Sequence, residues 1–82
     1  MNNYYKFKVS WCPICEQGWA QIVKEKESGQ LFVWCDECDS EWPSPNEVKN
    51  LDLATRGNFS EIEDPSEQDI IANDWGRFIV EE

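Results

Sequence analysis

Cys12, Cys15, Cys35 and Cys38 are the only cysteines among 82 residues, and they fall as two Cys-x-x-Cys pairs in the stretches WCPICEQGW and WCDECDSEW. Nineteen residues separate Cys15 from Cys35, and the chain holds no histidine. Thiolates three residues apart reach one ion when the backbone turns tightly between them. Two such turns facing each other supply four sulfurs in a tetrahedron about 2.3 Å from a zinc ion. Four thiolates close the coordination shell, so the expected ion, a single Zn2+, is structural. Catalytic zinc keeps one position open for water or substrate. A dithiol redox role would want one low-pKa pair at a helix N-terminus, and neither pair has that setting.

The elements around the cysteines suit this geometry. Pro13 presets the first turn and Gly18 releases the chain from it. Residues 19–26 and 31–34 are β-prone runs separated by Glu27-Ser28-Gly29-Gln30, a turn signal. Along the first run Trp19, Gln21 and Val23 share one face, and Ala20, Ile22 and Lys24 the other. A hairpin of this length brings Cys35 back beside Cys15, and residues 39–42 supply a third short strand. With both pairs and this insert, residues 11–43 resemble a zinc ribbon, a motif specific for fold and metal and silent about function. The same four thiolates also resemble the site of a rubredoxin-like iron carrier. Rubredoxins place glycine after the second cysteine of each pair, where Glu16 and Asp39 stand here.

A chain of 82 residues makes one domain, here a zinc ribbon at 11–43 with an acidic helical extension at 44–82 packed on it. Its core is small enough that a cross-link is expected. Five Trp, four Phe and two Tyr enlarge that core beyond what a 40% apolar fraction suggests. Trp11, Trp19, Trp34 and Trp42 bracket the cysteines, and at least two should wall off the metal and build the core. Tyr4, Tyr5 and Phe7 alternate with Lys6 and Lys8, as an edge strand or a partner-facing arm would.

Downstream, Ser44-Pro45-Asn46-Glu47 predicts a short helix over 45–53 with Val48, Leu51 and Leu53 apolar, broken by Gly57 and Asn58. A second box, Asp64-Pro65-Ser66-Glu67, opens a helix to about Trp75, with Ile71 and Trp75 paired and Gly76 at its end. Residues 77–80, RFIV, read as a terminal strand or extended segment. The fold class is therefore small α+β: a ribbon hairpin with a third strand, one or two short helices and a final strand.

Charge narrows the function. The chain carries −10 overall: residues 1–35 set four lysines against three glutamates, whereas 36–82 set three basic groups against fourteen acidic ones. Four thiolates on a divalent ion would add a further −2. Such a surface repels phosphate backbones and draws basic partners, which disfavours direct nucleic-acid binding. Asp36, Glu37 and Asp39 beside the second cysteine pair, with Glu61, Glu63, Asp64, Glu67 and Asp69, are the candidate partner-binding residues. Without histidine, a nucleophile motif or length for a pocket, neither catalysis nor a small-molecule substrate is expected. The chain has no signal-peptide run and no long apolar stretch, and it reads as cytoplasmic with no membrane partner.

In size and acidity the chain resembles small bacterial immunity proteins, encoded beside polymorphic or contact-dependent toxins. That resemblance implies a basic, nuclease-type toxin as partner and assigns no residues. The alternatives left open are a zinc-ribbon module of transcription or translation that touches nucleic acid or polymerase, and the rubredoxin-like carrier.

Overall fold

The computed structural model describes residues 7–57 and 61–80. Expectations for Tyr4, Tyr5, Lys6 and Asn58 lie outside these residues. Five strands form one antiparallel sheet: β1 (Lys8–Trp11), β2 (Trp19–Glu25), β3 (Leu31–Cys35), β4 (Glu41–Trp42) and β5 (Ile62–Glu63). The order is β1-β2-β3-β4, and β5 pairs with the far end of β2 beyond β1. The expected hairpin is β2–β3, in register from Ala20↔Cys35 to Lys24↔Leu31. Gly29 takes the positive φ of 77° that its turn requires. The expected third strand is β4, reduced to two residues.

The alternation read along β2 sorts two faces. Ala20, Ile22, Leu31, Val33 and Cys35 join Trp42, Phe7, Val48 and Ile70 in one buried cluster. Val23 and Phe32, cross-strand partners, are buried on the opposite face. Both sides of the hairpin are thus covered. In β1 the register slips between Lys8↔Gln21 and Ser10↔Ala20, so Val9 is the extra residue of a bulge, and it packs on the cluster.

Beyond the cysteine-bearing hairpin the structure corrects three expectations. The helix over 45–53 is instead two 3-10 turns, Pro45–Glu47 and Leu51–Leu53. Asn50 divides them: it is extended, and its side chain accepts the Asp52 N–H, restarting the chain where a helix would continue. Val48 is buried, but Leu51 and Leu53 are exposed.

The second helix, α1 (Glu67–Ala72), starts two residues later than the sequence suggested and ends earlier. Its cap is Ser66, with Asp69 closing a reciprocal capping box, and Pro65 and Ile70, both buried, occupy the positions of a hydrophobic staple. The helix closes at Asp74 rather than Gly76. Asp74 has φ 57°, its N–H reaches Ile71 O, and the Trp75 N–H reaches Ile70 O at 3.1 Å, the double bond of a Schellman ending. Ile71 is consequently 74% exposed, and Ile70, not Ile71, is the residue buried with Trp75 against the core.

The segment over 77–80 is no strand, and only its end, from Ile79, is extended. Gly76–Phe78 is a 3-10 turn, after which the Val80 N–H donates to Lys8 O at 2.9 Å. One backbone bond to the edge of β1 stands where a strand was expected. No helix among the described residues is long and apolar enough to cross a membrane.

Candidate metal centre

Two loops at one end of the sheet carry the cysteines. The first, between β1 and β2, folds back so that Glu16 N–H donates to Cys12 O and Cys12 N–H to Gly18 O. The second, between β3 and β4, repeats the pattern: Asp39 N–H donates to Cys35 O and Cys35 N–H to Ser40 O. In both, an acidic residue directly after the second cysteine takes a left-handed conformation, Glu16 with φ 54° and Asp39 with φ 64°. The two loops are near-copies in sequence as well, each Trp-Cys-x-x-Cys followed by an acid. Acidic residues thus hold the conformation that glycine would relax, so the missing glycines do not distinguish a zinc site from an iron one.

The pairing of β2 with β3 brings the loops face to face. Cys12 Sγ lies 3.8 Å from Cys38 Sγ, and Cys15 Sγ 3.7 Å from Cys35 Sγ. All four sulfurs lie within 4.8 Å of one another. A disulfide needs about 2.05 Å, whereas a tetrahedron of sulfurs about 2.3 Å from a central ion has edges near 3.8 Å. The close pairs run between loops, so each loop contributes to both edges.

Electrostatics point the same way. Burial pushes the Cys35 thiol above its ordinary range, against the backbone N–H groups of Cys38 and Glu37 aimed at its sulfur. At Cys15 the Gln17 N–H favours the thiolate, but burial and the crowding sulfurs of Cys12 and Cys38 outweigh it. Cys38 moves the other way: burial would raise it, yet the hydroxyl and backbone N–H of Ser40 hold it down at about 6. Four sulfurs packed this closely resist ionising together unless a cation sits among them, and a metal-bound thiol is deprotonated outright. Clustering, spacing and N–H groups directed at sulfur all fit one thiophilic metal ion held by Cys12, Cys15, Cys35 and Cys38. Ser40, buried with its Oγ 3.1 Å from Cys38 Sγ, orients that ligand from behind. Sequence reading passed over Ser40, whose only signal is a hydroxyl two residues after a ligand.

The tryptophans divide their roles. Trp42 is fully buried, and its indole N–H has no acceptor among the described residues. Trp75 packs against the cluster. Trp11 is 48% exposed and meets Trp19 edge-to-face at 5.2 Å, with Lys8 Nζ 4.9 Å above the Trp19 ring.

The candidate partner-binding acids do not form one patch. Glu37 and Asp39 are exposed on the second cysteine loop, Glu37 lying over Gly18. Glu61 and Glu67 are exposed near β5 and in the first turn of α1. Asp69 is engaged structurally: it accepts the Ser66 N–H and pairs with Lys24 Nζ at 3.2 Å. Hydrogen bonding from the Ser66 N–H and from Lys24 holds its carboxyl below the usual range. Asp36 and the adjacent pair Glu63 and Asp64, distant from it in sequence, each line one groove beside Trp34, although Glu63 stands opposite Lys24 in the strand register.

No protein-family model, curated protein or solved structure matches this chain.

Proposed function

We propose that this chain is a zinc-bound, non-catalytic protein that acts by binding a basic protein partner. The observation that carries the reading is the closed set of four sulfurs, which leaves no ligand position for substrate. What remains to act is surface, and that surface is strongly acidic beyond residue 35. Charge of this sign speeds capture of a basic partner, and a small fold fastened by metal loses little freedom on docking. An immunity protein that neutralises a nuclease-type toxin is the form that matches this chemistry best, with carboxylates occupying a groove built for phosphates.

Growth rescue tests it. Cells expressing the basic toxin encoded beside the gene for this chain should survive when the chain is co-expressed, and Cys35→Ser should abolish that rescue. No basic protein encoded there, or no rescue by the zinc-loaded chain, contradicts the immunity reading.

A second reading has one observation in its favour. The Lys8–Trp19–Trp11 cluster combines a cation with exposed aromatic surface, the combination on which single-stranded nucleic acid stacks. Retention on heparin at low salt would support it; flow-through would leave the acidic reading in place.

A further inference from the structure

The two cysteine loops share a frame and differ at their tips. WCPICEQGW and WCDECDSEW place tryptophan, cysteine and acid at the same steps, but Pro13 and Ile14 stand inside the first pair and Asp36 and Glu37 inside the second. Ile14 is 39% exposed, and Glu37 is exposed. Trp11 and Trp34 hold equivalent places before their loops, yet Trp34 is half-buried whereas Trp11 is turned outward.

A backbone irregularity aims Trp11. Lys8 and Trp11 lie an odd number of residues apart and would point to opposite faces of an unbroken strand. The bulge at Val9 instead sets Lys8 opposite Gln21 and Trp11 opposite Trp19, so both share the face of β2 away from the main core. There Trp11 meets Trp19 edge-to-face and keeps 48% of its surface in water. Gly18, next to Trp19, has the Glu37 side chain against it, so the aromatic pair adjoins the acidic loop.

Charge selects what this surface can receive. Residues 12–18 and 35–40 carry Glu16, Asp36, Glu37 and Asp39 and no basic group. Four thiolates on a divalent ion add a further −2. Lys8, the cation of β1, lies over the Trp19 ring. An exposed aromatic anchor flanked by charge is how protein interfaces are built, with the anchor at the centre and polar groups at the rim. The complementary surface carries apolar side chains beside cations.

We propose that the metal end of the sheet is the docking surface for a basic protein partner, with Trp11 and Ile14 against its apolar side chains and Glu37 and Asp39 paired with its cations. It rests on the reading of a basic partner given above and locates where that partner is gripped. The ion thereby gains a second consequence, since joining the loops presents the apolar and acidic tips together.

The test is an NMR titration of the zinc-loaded chain at low salt with two peptides, hexa-lysine and a hexapeptide of alternating lysine and leucine. The alternating peptide should bind more tightly with half the charge, and shift most the Trp11 indole, Ile14 and the amides of Glu37 and Asp39. Trp11→Ala should weaken it by about tenfold. Ile14→Ser, at an exposed tip, repeats the test should Trp11→Ala disturb the fold. Ile71→Ser, an equally exposed apolar site on α1, should change affinity by no more than about twofold, as should Glu27→Gln with Asp52→Asn. Equal losses for surface and control variants, or shifts centred elsewhere, overturn this surface and leave the basic-partner reading standing. Self-association that Trp11→Ala abolishes would assign the surface to a second copy, and tighter binding of oligothymidine there would assign it to nucleic acid; either overturns the proposal. No binding of either peptide by the wild-type chain overturns both readings.

Discussion

Gly18 of the first cysteine loop lies directly beneath Glu37 of the second: a β-carbon at position 18 would stand 2.5 Å from Glu37 Cγ and 3.1 Å from its Cβ. The glycine is required by the approach of the two loops and not by a positive φ, since Gly18 is not among the glycines in that region. Gly18→Ala should therefore push the loops apart, at a cost of about 1–3 kcal/mol through overpacking. Thermal melts of zinc-loaded protein would show it. An unchanged melting temperature would mean that Glu37 yields freely.

Ser40→Ala removes the hydroxyl that bonds Cys38 Sγ. Loss of such an outer-shell partner lowers metal affinity by about 10–100-fold, measurable by chelator competition. The direction with pH follows from the thiol. Cys38 is held at about 6 with the help of Ser40, so without the hydroxyl its sulfur takes up a proton at higher pH. Thiolate ligation is present above that point and lost below it, and the midpoint of acid-driven metal release should move upward in the variant. A midpoint that stays in place would assign Ser40 a packing role only.

Glu16 and Asp39 adopt left-handed backbone conformations with φ 54° and 64°. That region costs an L-residue roughly 1–2 kcal/mol, less for Asp than for Glu. Glu16→Gly should thus stabilise the fold by about 1 kcal/mol, and Asp39→Gly by less. Chemical denaturation of the zinc-loaded proteins gives the order. Destabilisation by Glu16→Gly would show that its side chain has a role beyond occupying the turn.

At α1 the Ser66 hydroxyl accepts the Asp69 N–H while Asp69 accepts the Ser66 N–H. Ser66→Ala should cost about 1 kcal/mol, and faster amide exchange confined to residues 66–72 would locate the loss. Uniformly faster exchange across the sheet would argue against a local cap.

The metal site was legible because its information is local: spacing within each pair, and an insert whose alternation predicts a hairpin. The hairpin register then follows from Ala20 and Ile22 needing burial. The downstream elements were harder for identifiable reasons. Ser44-Pro45-Asn46-Glu47 reads as a helix start, yet Asn50 interrupts it by capping Asp52. Two capping frames overlap at 64–69, and burial of Pro65 with Ile70 selects the later one. Gly76 looked like the helix end, but Asp74 takes the left-handed position so that Trp75 can pack with Ile70. The groove beside Trp34 had no sequence signal, since it depends on β5, two residues long, crossing to β2.

Everything else depends on the ion at the four sulfurs, and native mass spectrometry of freshly purified protein tests that most directly. The predicted result is one zinc per chain, with chelation exposing four free thiols and abolishing the native circular dichroism spectrum, because metal binding and folding are linked by roughly 10–16 kcal/mol in small zinc sites. A metal-free chain that keeps its native spectrum, or sulfurs joined as disulfides, would contradict the account.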